Sequence, residues 1–221
     1  MLSGFDMARN HAPQISEFPF HVTGRRHNKS PFDLDLELVW QIMSDHLYLT
    51  HIFFGLKIHA FVLMPNHFHL LCSTDTESLG VAFNYFMRET SKLMNQYSGN
   101  TNQNWGSRYY RCEIASDSYF MSSYKYVYQN PVRSKLVTKC ENWRYSTLHA
   151  LVGRAHTMIP VANDTLLFTE SGLLLHENLT WLNQKPTEQN ILAVKKALRK
   201  RKFKLPKDES RRPHYLEDGR L

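Results

Sequence analysis

Two histidines and a run of tyrosines are the residues of this sequence best equipped for chemistry. His67 and His69 stand two apart in the segment PNHFHLL. On a strand, alternate side chains share a face, so both imidazoles point one way and Phe68 points the other. Neutral imidazoles suit divalent metals, and two on one open face can reach a single ion. The apolar residue between them anchors the strand and holds their geometry. The same spacing also arises on strand surfaces where each ring meets only solvent. His59, one strand earlier, is either a neighbour across the hairpin or an ordinary exposed polar residue.

The second constellation is SYKYVYQNP at 123–131, with tyrosines at 124, 126 and 128. Residues two apart on a helix do not face together, so at most two of these phenols can serve one site. Tyr126 and Asn130, four apart, share a face, and a phenol and an amide oxygen can project together over the histidine pair. A phenol is a poor nucleophile at neutral pH unless a nearby cation favours its phenolate. A metal can bind a scissile phosphate, neutralise it and orient it for in-line attack. The product would be a covalent phosphotyrosine that stores the broken phosphodiester. The competing reading is packing, since aromatic residues often cover a sheet, and Asn130 before Pro131 also reads as a helix-ending residue.

The elements that must carry these residues follow from periodicity. Pro19 to Arg26 is a short strand, in which Gly24 permits a sharp turn or a close backbone approach. Asp33 to Leu49 has a helical rhythm. Phe53 to Met64 is a mostly apolar strand, Pro65-Asn66 a turn, and Phe68, Leu70 and Cys72 mark the second strand of a hairpin. Leu79 to Tyr97 is a helix, 98–107 a polar loop, and Tyr109 to Ala115 a short strand. Ser118 to Asn130 is a helix stopped by Pro131. This β-α-β-β-α-β order with an added helix predicts an α+β, ferredoxin-like (RRM-like) split fold, a sheet with helices on one face. Trp143 to Val152 is amphipathic, Leu166 to Leu182 helical despite Gly172, and Ile191 to Lys204 a basic helix. Residues 1–17 read as an entry arm.

The 221 residues allow one substantial core plus extensions. The formal net charge of +7 attracts polyanions, nucleic acid foremost. The charge is uneven. Between Ile191 and Tyr215 ten Lys and Arg face only Asp208 and Glu209, so that segment carries +8 and the remainder −1. Cys72, Cys112 and Cys140 form no CxxC pair, which argues against a thiolate zinc site and suits a reduced, intracellular setting. No signal peptide or membrane span is legible, so a cytoplasmic or nucleoid-associated location is expected.

Taken together, HVTGRR at 21–26, FVLMPNHFHLL at 61–71, NWGSRYYR at 104–111, KYVYQNPVRSKLV at 125–137 and NWRYSTLHALVG at 142–153 resemble the single-tyrosine transposases of the His-hydrophobic-His (HUH) class, including the REP-associated tyrosine transposases. The resemblance spans roughly residues 18–153. It implies a catalytic domain over 1–153 with its N-terminal arm, followed by a helical, basic C-terminal extension over 154–221. It implies that His67 and His69 bind Mg²⁺ or Mn²⁺, that Tyr126 is the nucleophile and that Asn130 supplies a third metal contact. Lys125 stands where arginine is common, and Tyr128 is less usual beside the nucleophile. Members cleave single-stranded DNA, often at a hairpin, forming a 5′-phosphotyrosine and releasing a 3′-hydroxyl in transposition or REP-element processing. Both dimers and monomers occur among them, so the partner question stays between a homodimer and a monomer, with no membrane partner.

Candidate DNA contacts are Arg25 and Arg26 after the first strand, and Arg108 and Arg111 flanking Tyr109 and Tyr110 as a basic-aromatic patch. Further candidates are Lys125, then Arg133 and Lys135 after the helix break. The tail cations Lys195, Lys196, Arg199, Lys200, Arg201, Lys202 and Lys204 could clamp a duplex or hairpin stem, or form a solubilising extension. Three readings compete with a strand transferase. One is a non-catalytic nucleic-acid module that stacks bases on its sheet. Another is a domesticated relative that binds or nicks without moving an element, and the third is a metal phosphodiesterase that uses water.

Overall fold

The computed structural model describes residues 16–74, 78–101, 104–165, 167–168 and 176–207. The chain runs β1 (Ser16–Arg25), α1 (Leu36–Phe54), β2 (Leu56–Met64), β3 (His67–Thr74), α2 (Leu79–Ser98), β4 (Tyr110–Glu113), α3 (Asp117–Tyr128), α4 (Asn130–Arg133), α5 (Thr147–Leu151), α6 (His176–Asn183) and α7 (Glu188–Ala197). The strands form one antiparallel sheet in the order β2-β3-β1-β4. This is the ferredoxin-like α+β arrangement.

The helices start and stop where their caps dictate. The Asp35 carboxylate accepts from the Glu37 amide at 2.8 Å to open α1, and Gly55, at φ 63°, closes it. The helix therefore runs five residues past the expected Leu49. Ser78 and Gly99 play the same parts for α2, and Ser116 caps α3. Both faces of the sheet are covered. Phe20, Val22, Phe61, Leu63, Phe68, Leu70 and Cys72 pack against α1 and α2. On the other face Ala60, Val62, Met64, Leu71 and Cys112 meet α3 and residues of α5, α6 and α7. The expectation of helices on one face is thereby corrected. Double coverage is also why β2 reads as an apolar run, with Lys57 its one exposed position.

Gly24 is the close-approach glycine. It pairs with Phe68 across β1 and β3, and a Cβ there would lie 2.5 Å from the Phe68 ring. The ring is thus seated against Phe61, Phe86 and Trp105 at centroid distances of 6.0, 5.8 and 5.6 Å. Seating Phe68 below the sheet holds His67 and His69 above it.

Described residues after 153 pack into the core. Ala193, Val194, Ala197, Leu198, Phe203 and Leu205 are buried in the same cluster as α3. The basic helix expected to Lys204 stops at Ala197. Beyond it the chain runs beside β4, where the Glu113 amide donates to the Arg201 carbonyl at 2.8 Å and the Phe203 amide to the Glu113 carbonyl at 2.7 Å. At the opposite edge, the Leu63 amide donates to the Tyr145 carbonyl at 2.9 Å and the Phe61 amide to Thr147 Oγ1 at 3.0 Å. Both exposed rims of the sheet are so occupied. The entry arm falls outside the described residues apart from Ser16 and Glu17. Of the expected helix from Leu166 to Leu182, residues 166 and 169–175 lie outside them, and the described helical part begins at His176.

Candidate active site

The antiparallel register brings His67 and His69 to one end of the sheet beside β1, with His67 opposite Arg25 and His69 opposite Thr23. Alternation along β1 then puts His21, Thr23 and Arg25 on the same face. The Asn66 amide oxygen accepts from His67 Nδ1 at 2.6 Å, while the Asn66 amide nitrogen donates to the Lys29 carbonyl at 2.6 Å. His67 is thereby left with Nε2 as its lone-pair nitrogen. The rings of His67 and His69 are 5.0 Å apart, and His69 Nδ1 lies 2.9 Å from His21 Nε2.

All three imidazoles are neutral. Burial pushes His21 down to about 3, and burial followed by the Arg25 charge lowers His67 to about 4. Burial, then the charges around it, Arg133 and Arg25 among them, hold His69 well below its ordinary value. The linkage has a definite sign. An unfolded histidine takes up a proton near pH 6.5 that the folded one declines. Stability is therefore complete above that pH and drains as pH falls toward 4. By pH 5 the loss is about 2 kcal/mol for His21 and for His67. Chemical denaturation at pH 7 and pH 5 should show a lower midpoint in acid, and His67→Gln should flatten the dependence. A midpoint unchanged between the two pH values would contradict the buried, neutral state.

Only one phenol of α3 faces this cluster. Tyr124 is 0% exposed and donates to Asp164, the same carboxylate that meets His59 Nδ1 at 2.8 Å. Tyr128 is 1% exposed and bonds Thr147 Oγ1 at 3.1 Å. Tyr126 is half-buried, with its ring edge-on to His69 at 5.8 Å and to His21 at 6.2 Å. The Arg133 guanidinium lies 4.0 Å from the centre of the Tyr126 ring. His21, His69 and Tyr126 open into a cleft of about 350 Å³. Arg25, Arg108, Lys195 and Arg199 surround it, and among the described residues no carboxylate lines it. Such a cleft attracts and holds a phosphate.

No family model matches the chain. A REP-associated tyrosine transposase of Escherichia coli K12 is 28% identical over 113 residues, 51% of this chain and 67% of that protein. A putative REP-associated tyrosine transposase of Haemophilus influenzae Rd is 27% identical over 101 residues, 41% of this chain and 57% of that protein. A solved structure of a REP-associated tyrosine transposase bound to a REP hairpin superposes with a TM-score of 0.55 at 21% identity, covering 72% of this chain and 93% of that one. The chain is similar to the REP-associated tyrosine transposases. The matched stretches leave a third or more of each curated relative uncovered, and the solved structure bears on the fold alone.

Within this fold several expected contacts are redistributed. The Asn130 amide nitrogen donates to the Tyr126 carbonyl at 3.0 Å and to the Val127 carbonyl at 3.3 Å. The latter stands in for the amide that Pro131 lacks. Its amide oxygen accepts from Arg133 at 2.8 Å. Asn130 thus closes α3 and holds Arg133, and the oxygen expected to meet a metal meets a guanidinium. Lys125 is 4% exposed with its ammonium 5.1 Å from the centre of the Trp181 ring, so it is no surface phosphate contact. Arg26 donates to the Pro31 carbonyl at 2.6 Å and pairs with Asp33, pinning the loop before α1. The basic-aromatic patch splits across the sheet, because neighbouring residues on a strand face opposite ways. Tyr110 lines the cleft, Tyr109 and Arg111 lie on the α2 side, and Arg108 borders both. Of the tail cations, Lys195 and Arg199 reach the cleft. Lys200 donates to the Lys204 carbonyl and Lys202 lies 3.6 Å from Glu113. Lys135, Lys196 and Arg201 are exposed and outside the cleft lining.

His21 is the residue that sequence reasoning missed. Its signal was the alternation of His21, Thr23 and Arg25, which becomes informative only once β1 is known to pair with β3. Among the described residues no group of three or more His, Cys, Asp or Glu could hold a metal. The donor set of His67 and His69 nevertheless fits a divalent ion: both rings are neutral, His67 presents Nε2, and His69 presents Nε2 in the tautomer whose Nδ1–H donates to His21 Nε2. Hard ions such as Mg²⁺ and Mn²⁺ fill their other positions with water and phosphate oxygens.

The burial of Tyr128 makes it a clean control for any reaction at Tyr126. Tyr128→Phe loses one buried hydrogen bond and should cost about 1 kcal/mol of stability, read as a small drop in denaturation midpoint. It should leave any covalent attachment of Tyr126 to DNA intact. Loss of attachment in the folded Tyr128→Phe protein would move the chemistry to that phenol.

Proposed function

We propose that this protein nicks and rejoins single-stranded DNA beside a hairpin through a transient 5′-phosphotyrosine on Tyr126. The reading rests on one observation above all: Tyr126 alone among the α3 tyrosines faces a cationic cleft, against neutral, buried histidines. In the forward step Tyr126 Oη attacks phosphorus, a phosphorus–tyrosine oxygen bond forms, and the bond to the 3′ oxygen breaks. The phenolic proton passes to solvent, and the departing oxygen takes up a proton to become a 3′-hydroxyl. Attack by a DNA 3′-hydroxyl on the same phosphorus reverses the step and joins strands.

His67 and His69 are the residues to hold Mg²⁺ or Mn²⁺, and His21 fixes the His69 ring through the bond at Nδ1. A divalent ion bound there would neutralise the scissile phosphate and orient it. Arg25, Arg108, Lys195 and Arg199 draw the DNA backbone into the cleft. The test is incubation with a labelled single strand carrying a hairpin, with Mn²⁺ or Mg²⁺ present. An adduct that survives denaturation supports the proposal. Cleavage without an adduct would point to water as the nucleophile, and hairpin binding without cleavage to a non-catalytic DNA-binding protein.

A further inference from the structure

A second groove lies on the opposite side of β4. It has a volume of about 950 Å³ and runs between α2 and the segment 105–111. Arg88 and Lys92, one turn apart on α2, form one bank, and Arg108 and Arg111 form the other. Tyr109, half-buried against Phe83 at a centroid distance of 4.7 Å, lies between them. Among the described residues no carboxylate lines the groove. Arg88 does pair with Glu89 at 2.7 Å, but the arginine side chain is 66% exposed, and pairs of that kind are worth little and open readily. Ser107 and Arg108 line both this groove and the catalytic cleft. The two are therefore continuous around the end of β4.

We propose that the α2 groove carries the unpaired DNA flank that enters or leaves the catalytic cleft, an inference that rests on the reading of that cleft as a DNA site. Two facing rows of cations suit a sugar–phosphate backbone. The phenol ring between them offers a stacking face that only an unpaired base can use, since a duplex hides its base faces. This favours a single strand over the hairpin stem.

The test compares the full chain with R88E/K92E, both positions being exposed and remote from Tyr126. Fluorescence anisotropy is measured on a bare hairpin and on the same hairpin with a short unpaired tail. The tailed substrate should bind the parent more tightly, and the double variant should lose about tenfold on it while keeping its affinity for the bare hairpin. Its salt slope on the tailed substrate should fall by about 1.4, the value for two phosphate contacts on a single strand. Equal loss on both substrates would assign these cations to the stem and overturn the proposal. So would unchanged binding to both, or a tail that adds nothing to the parent's affinity. Adduct formation is scored separately at saturating DNA. A parent that makes no adduct but shows the tail-selective loss removes the catalytic reading and leaves the groove. An adduct in both proteins without tail-selective loss does the reverse.

Discussion

Tyr126→Phe should abolish covalent attachment to hairpin-bearing DNA while leaving the protein folded and able to bind that DNA. The substitution removes a single oxygen. The ring keeps its contacts with His69, His21 and Arg133, which are made by its faces and edges. Stability should therefore change by less than about 1 kcal/mol. No other α3 phenol lines the cleft, because Tyr124 and Tyr128 are buried and bonded elsewhere and Tyr119 packs against Phe203. We expect the adduct to fall at least about a thousandfold, equivalent to roughly 4 kcal/mol in barrier. Denaturing electrophoresis of labelled DNA provides the measurement. An adduct of parental yield in Tyr126→Phe would end the assignment, whatever the binding data showed.

The second large effect concerns the histidines. His67→Ala should weaken Mn²⁺ binding about a hundredfold or more, followed by the spectroscopic signal of the free ion, and adduct formation should fall at least as far. Its ring is half-buried at the start of β3, so the fold should survive. His69→Ala should lose the ion as well, and it carries an added cost. His21 is 3% exposed and bonded to His69, and its Nδ1 already has no hydrogen-bond partner. Removing the His69 ring strands His21 Nε2 too, at about 1–3 kcal/mol beyond the cavity left behind. The two variants should thus match in ion binding and differ in denaturation midpoint. Undiminished Mn²⁺ affinity in both would remove the metal from the proposal.

The contrast between these residues explains what could be read from the sequence. That His67 and His69 share a face was legible because strand alternation is a local rule, valid over a few residues, whereas the choice of Tyr126 among its neighbours came from the family resemblance. The four strands and the helices between them were legible for the same reason, and their errors sit at boundaries. The α1 helix overran its expected end because Gly55, not the last apolar position, stops it. The tail helix ended early because the chain turns to pair with β4, a partner far away in sequence. Orientation was harder. Lys125 and Asn130 looked like phosphate and metal contacts, yet one turns toward Trp181 and the other to its own helix and Arg133. Neither outcome follows from local spacing, since Trp181 reaches α3 only through long-range packing. His21 was missed for a related reason, because strand register is a property of the finished sheet.

The buried tail also changes how truncation experiments read. Removing everything after Gln189 deletes Ala193, Val194 and Ala197 from the core along with the cations. Charge reversal of Lys195 and Arg199 isolates the electrostatic contribution, because both are exposed at the cleft wall.

Tyr126 leaves the ribosome well before Lys195 and Arg199, yet these two flank the cleft into which it opens. A nascent chain therefore carries Tyr126 for some time before the walls of the cleft around it exist. The cleft is enclosed only once residues 195–203 have been made and the seam against β4 closes. Premature termination anywhere in that stretch yields a product that keeps the histidines and the tyrosine but lacks the enclosure around them.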